Sequence, residues 1–340
     1  MMKSSRLIYL LITLFAISLQ ACYVDDDFKM QNTAKENFDA LWKVIDEHYC
    51  FFQYKAVDWD SVYNHYAPRV HDRMSDYELF NLCSEMLEVL QDGHVNLVAP
   101  FATSYYRDWF EAHPVNYDER IVREQYLHFD YKQSGGIVYE KLQENIGYIY
   151  YDSFNNSIGH YSLDNILVYL SSCNGLIIDV RNNGGGSLSN VDILASRFLS
   201  QRTLAGYILH KTGPGHDDFS TPYPYYYQPV DKRIHWLKPV VVLTNRHTFS
   251  AANNFVQVMK SLPQVTIIGD CTGGGSGLPF TYNLPNGWSI RLSASPVLDA
   301  NGYDTEWGIE PTIKVDMAED ANTTGRDAIL DKAIEYLLSK

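Results

Sequence analysis

The sequence predicts an α/β core preceded by a smaller helical subdomain. Two patterns carry that prediction. Apolar residues recur at helical spacing from Asp25 to about Leu97, and after Asn145 short apolar runs alternate with amphipathic stretches. Composition agrees: of 340 residues 46% are hydrophobic and 20% charged, which excludes wholesale disorder and suffices for a buried core. A formal charge of −14 repels phosphates, so no sequence-independent hold on nucleic acid is expected.

In chain order, Lys3 and Arg6 precede the apolar run Leu7 to Leu19, and Ala21 stands directly before Cys22. A short positive region and an apolar stretch too short to span a bilayer are the anatomy of a secretory signal, here residues 1–21. The small residue before Cys22 resembles the lipobox of bacterial lipoproteins. That resemblance implies cleavage before Cys22, lipidation of that cysteine, and an exported protein anchored in the outer membrane, facing the periplasm or the cell surface. Cys50, Cys83, Cys173 and Cys271 form no CxxC pair and no CxxxH cluster, so no zinc site is read and buried free thiols are expected.

Residues 22–100 read as the helical subdomain. Thr33 and Glu36 form a capping-box pattern ahead of Phe38, Leu41, Trp42 and Ile45; Ser75 and Glu78 repeat it ahead of Leu79, Leu82, Cys83 and Met86. Residues 101–144 are a connecting region of weak period that includes the turn signal Ser134, Gly135, Gly136. Residues 145–340 form the core. Strands are read at 147–152, 175–180, 239–243 and 265–268, with helical stretches at 158–170 and 251–262. Residues 288–295 alternate with period two, and 326–338 close the chain with a helix. Residues 212–236 interrupt the alternation with Pro, Gly and a run of tyrosines, Tyr223 to Tyr227, and a loop of this length is often functional.

Three segments carry chemistry. The first runs from Asn245 to Phe255, where Ser250 stands between an apolar strand and an apolar-periodic helix. A hydroxyl there lies beside free amides that can stabilise an oxyanion, or it simply caps the helix. The second is Asp179 to Ser187 with Gly184, Gly185 and Gly186, which lacks the lysine of a P-loop and the spacing of a dinucleotide site. The third is Asp92, Gly93, His94, which offers a base to a serine distant in sequence.

Together these segments resemble the S41 serine peptidases, the group of the C-terminal processing proteases, the tricorn core protease and the retinoid-binding-protein repeats. Asp179 to Gly186 is similar to the family's glycine motif, and Thr248 to Ala252 to its nucleophile motif. Glu306 to Pro311 is similar to its closing signature, with Thr312 in place of the usual Asp. The resemblance implies a crotonase/ClpP-like β-β-α core and a protein or peptide substrate, with no metal or cofactor. The position of the lysine base in the processing branch is Gly275 here, so the pattern is closer to the tricorn-like branch. It implies Ser250 as nucleophile, His94 as general base, and Glu306 orienting the imidazole directly or through another group. Ala251 with Gly185 or Gly186 would supply the oxyanion amides. Tricorn's serine before the histidine is Gly93 here, and His247 is a rival base. The connecting region is too short for a complete PDZ domain, so tail recognition through one is not implied. The alternative from another class is a catalytically silent peptide or apolar-ligand binder on the same fold; an esterase-like acyl hydrolase shares the chemistry and differs in its pocket.

Overall fold

The structure, a computed structural model, describes residues 32–340; the signal read over residues 1–21 and the lipidation site Cys22 lie outside the described residues. Three α-helices open the described residues: α1 (Ala34–His48), α2 (Trp59–Tyr66) and α3 (Asp76–Glu88). Both capping boxes form. Thr33 and Glu36 exchange side-chain and backbone hydrogen bonds at α1, and Ser75 and Glu78 do so at α3, satisfying amides that a first turn leaves without partners.

Next come β1 (Asn96–Ala99), β2 (Ala102–Thr103), β3 (Lys132–Ser134), β4 (Ile137–Leu142) and β5 (Ile146–Tyr151). The turn signal is the two-residue loop of the β3–β4 hairpin. Gly135 and Gly136 both take positive φ, 59° and 76°, as the turns that match strand twist demand. The main sheet therefore begins inside the stretch read as a connecting region.

Further along lie α4 (His160–Leu170), β6 (Gly175–Asp179), α5 (Leu188–Ala195), β7 (Thr203–Ile208), β8 (Tyr223–Tyr227) and β9 (Val240–Thr244). After these follow α6 (Ala251–Lys260), β10 (Val265–Gly269), β11 (Leu278–Asn283), β12 (Ser289–Ser295), β13 (Val297–Leu298), β14 (Ile313–Lys314) and α7 (Ala328–Leu338). The tyrosine run is thus a strand within the interruption.

A seven-stranded sheet in the order β14-β10-β9-β6-β5-β4-β3 forms the centre, parallel from β14 to β5 and antiparallel at the β4–β3 edge. Both faces are covered, so its central strands read as unbroken apolar runs. Leu176 and Ile178 of β6 join the core under α4, α5 and α6, while Ile177 joins the core under α7. A second sheet, β11-β12-β1-β2, packs against the N-terminal helices, and Trp288, Ile290 and Leu292 complete that layer's core. The helical layer is therefore built from both ends of the chain. Cys50, Cys83, Cys173 and Cys271 are free thiols.

Candidate active site

Strands β6 and β9 lie side by side, in register from Leu176 with Val240 to Asp179 with Leu243. The loops beyond their carboxyl ends share one edge of the sheet, where ligands of open parallel sheets bind. Three bonds tie those loops together. The Asn182 amide donates to Asn245 Oδ1 (3.0 Å), the Phe249 amide to the Asn183 carbonyl (3.0 Å), and the Thr248 hydroxyl to the Val180 carbonyl (2.9 Å). The glycine motif and the serine motif, distant in sequence, are one piece.

Ser250 sits at the strand-to-helix turn with φ 57° and ψ −120°, a conformation a side chain rarely adopts. Its hydroxyl makes no cap bond to α6. It lies 3.0 Å from His94 Nε2 instead, so the structure departs from the simple-cap reading. His94 is buried on the turn that leads into β1, and its backbone amide donates to Asp92 Oδ1 at 2.7 Å. Burial pushes its pKa down to about 4; Arg291 and Lys55 push the same way, while Asp92 and the Gly277 carbonyl oppose them. The ring is held neutral, the form that accepts a proton. Nδ1 makes no hydrogen bond of good geometry among the described residues, although the Gly277 carbonyl is near enough to favour the charged ring.

Glu306 does not touch His94. Its carboxylate accepts from Lys55 Nζ at 2.8 Å and from the Ser276 amide at 2.9 Å. Lys55 lies 3.6 Å from Asp92 Oδ2, with its side chain only 2% exposed, and Tyr49 donates to the same Asp92 oxygen at 3.0 Å. Glu306 reaches the histidine segment through Lys55 and Asp92. Burial, reinforced by the Asp92 charge and opposed by Lys55, pushes Glu306 up to about 8. Burial opposes Asp92's charge too, but the Lys55 ammonium, with the hydrogen bond from the His94 backbone amide, holds its carboxyl below the usual range. Sequence reasoning missed both residues. Asp92 stood in the Asp-Gly-His segment, whereas Lys55 lies between two helices with no motif around it.

The two glycines differ. The Gly185 amide is spent on Asn183 Oδ1 at 2.9 Å, whereas the amides of Gly186 and Ala251 donate to no acceptor among the described residues. A Cβ on Gly185 would stand 2.9 Å from the Ala251 nitrogen and 2.7 Å from the Phe249 carbonyl, so only glycine lets the two loops close. His247 packs against Phe110 and Trp109, ring centroids 4.1 and 6.0 Å away, and makes no bond to Ser250. A Cβ at Gly275 would lie 2.5 Å from the Phe249 ring, so this position has no room for a side chain. Gly93 is similarly confined, by Trp109 Nε1 at 2.6 Å. Ser250, Ala251 and Gly186 open onto a cavity of about 570 Å³, within the range of small-ligand clefts.

A family model for peptidase family S41 matches residues 145–315, and one for the tricorn protease C1 domain matches residues 30–88. A solved structure of a candidate peptidase from Parabacteroides merdae is 50% identical, with a TM-score of 0.87, over 90% of this chain and 97% of that one. A tricorn protease homolog from Saccharolobus solfataricus is 29% identical over 60% of this chain, and the carboxy-terminal processing protease CtpA of Bacillus subtilis 25% identical over 56%. The matched regions span 18% and 40% of those two relatives.

Proposed function

The chain belongs to peptidase family S41, and on that premise we propose that it is a serine peptidase that cleaves proteins or oligopeptides through an acyl-enzyme on Ser250. The observation that supports this most is the 3.0 Å approach of His94 Nε2 to a Ser250 hydroxyl that is not used as a helix cap. In this reading the Ser250 O–H proton passes to His94 Nε2 as Oγ bonds to the scissile carbonyl carbon. The carbonyl oxygen becomes an oxyanion between the free amides of Gly186 and Ala251, each such donor being worth about 3 kcal/mol. Collapse breaks the C–N bond, and His94 returns its proton to the leaving amine. Water then repeats the sequence on the ester, with His94 again as base.

Glu306 is a positioning residue here. Through Lys55 and Asp92 it fixes the turn that carries His94, so its effect runs through the backbone of residues 92–94.

A fluorophosphonate probe and casein cleavage test the proposal. Wild type labels and cleaves, Ser250→Ala does neither, and His94→Ala loses about 10³-fold or more in rate. Cleavage undiminished in Ser250→Ala would remove Ser250 as nucleophile, and undiminished cleavage in His94→Ala would remove His94 as base.

A further inference from the structure

Strand β12 alternates. Ile290 and Leu292 are buried in the helical layer, while Arg291 points to the opposite face and lines the cavity with Ser250, Gly277 and Leu278. Its place is fixed by register: Arg291 pairs across β1 with Asn96, two residues beyond His94. Arg291 is partly buried, yet among the described residues its side chain makes no hydrogen bond, and no carboxylate comes within 4 Å. The two arginines fully buried among the described residues behave otherwise. Arg181 is paired with Asp179 and Asp327, and Arg197 with Asp164. A guanidinium partly withdrawn from water without an anion is costly to keep, which points to a partner that arrives from outside.

The rest of the cavity is short of anions. Among the described residues none that lines it is Asp or Glu, in a chain of formal charge −14. Tyr225 and Tyr227 add one unspent donor between them. The Tyr225 hydroxyl accepts from Asn254 Nδ2 at 2.7 Å and Gln257 Nε2 at 3.2 Å, while Tyr227 donates to Asn254 Oδ1 at 2.9 Å. Gln257 is held in its orientation by the carbonyls of Ala205 and Leu298. Whichever way the Asn254 amide is turned, one of the two tyrosine hydroxyls keeps a proton with no acceptor among the described residues. A cation on one wall and a spare hydroxyl on another, with no acid between them, suit an anionic planar group.

We propose that Arg291 selects a substrate carboxylate, from an acidic side chain or from a chain's C-terminus, next to the peptide bond presented to Ser250. The inference rests on the serine peptidase reading and names the substrate class of that same cleft. The planar fork of arginine matches a carboxylate in two parallel bonds. Occupancy also acts on the base. Besides the Ser250 hydroxyl, Asp92, Arg291, Lys55 and the Gly277 carbonyl bear on His94, and a bound carboxylate neutralises one of the two cations that depress its basicity. A substrate of the right class thereby makes His94 a stronger base.

The test is protection of the full chain from fluorophosphonate labelling by matched short peptides. One pair ends in a free carboxylate or in an amide; a second, amide-ended pair carries an internal Glu or Gln. In wild type an acid protects at a concentration about 10- to 100-fold lower than its neutral isostere. That ratio falls to about one in Arg291→Gln and is intermediate in Arg291→Lys, which keeps the charge without the fork. Preference in the first pair identifies a chain end, and in the second a side chain. Equal protection by acids and isosteres, no protection by any peptide, or a preference that survives in Arg291→Gln overturns the inference. If wild type itself fails to label, the serine peptidase reading is what fails. Calorimetric binding of the same peptides to wild type and Arg291→Gln then decides whether Arg291 takes a carboxylate.

Discussion

His94 joins the most legible part of this chain to the least. Its motif is readable, as is that of Ser250, because a turn with a glycine and a strand-to-helix junction leave short local signatures. What surrounds the imidazole is not readable, because Lys55 and Arg291 come from elements that carry no motif and meet it only in the fold. Their effect is measurable. The base proposed here works when neutral, so with a pKa near 4, lowered first by burial and then by the two cations, activity is expected to hold as pH falls past the ordinary histidine range and to drop as pH falls through about 4. Removing the Arg291 charge takes away one lowering influence, so in Arg291→Gln the acid limb moves to higher pH. The pH dependence of the Ser250 labelling rate checks both. A wild-type limb at about 6.5 would mean that His94 is not desolvated as the structure has it.

The glycine motif teaches a different lesson at the level of elements. Read from sequence, Asp179 to Gly186 is a backbone device, and the glycines do serve as one. Its two charged residues have another task. Arg181 is fully buried, donating to Asp179 Oδ2 at 2.6 Å and to Asp327 Oδ2 at 2.8 Å, and Asp327 is also the N-cap of α7. Tyr148 donates to the same Asp179 oxygen at 2.9 Å. The cluster clamps the last helix against the strand whose end carries the glycines. Asp327 stands well over a hundred residues from Arg181, so no local pattern announces the contact. Arg181→Met strands two carboxylates in the interior and is expected to cost about 3–5 kcal/mol. Urea unfolding reads this as a lower midpoint with unchanged slope. A loss below about 1 kcal/mol would mean that the carboxylates find protons or other partners, and that the clamp is dispensable.

Across the whole molecule, the strand-and-helix alternation after residue 145 was legible, because β6, β9 and β10 are covered on both faces and leave continuous apolar runs. The boundary of the helical subdomain was less so. Pairing of β1 with β12 is a long-range event that period and propensity cannot express. Its consequence is that the helical layer is not an independent unit. Phe38, Leu41, Leu82 and Met86 share a core with Trp288, Ile290 and Leu292, and buried Lys55 bonds to Glu306 across the same junction. Neither part covers its apolar face alone, and the catalytic pair proposed here has one member from each. Unfolding should therefore be a single cooperative event. Far-UV circular dichroism, which follows both layers, tryptophan fluorescence, dominated on the helical side by Trp42, Trp59 and Trp288, and fluorophosphonate labelling of Ser250 are expected to share one urea midpoint. Fluorescence falling at a distinctly lower urea concentration, with the circular dichroism of the central sheet retained, would show that the helical layer detaches on its own. The shared core would then be weaker than its burial implies.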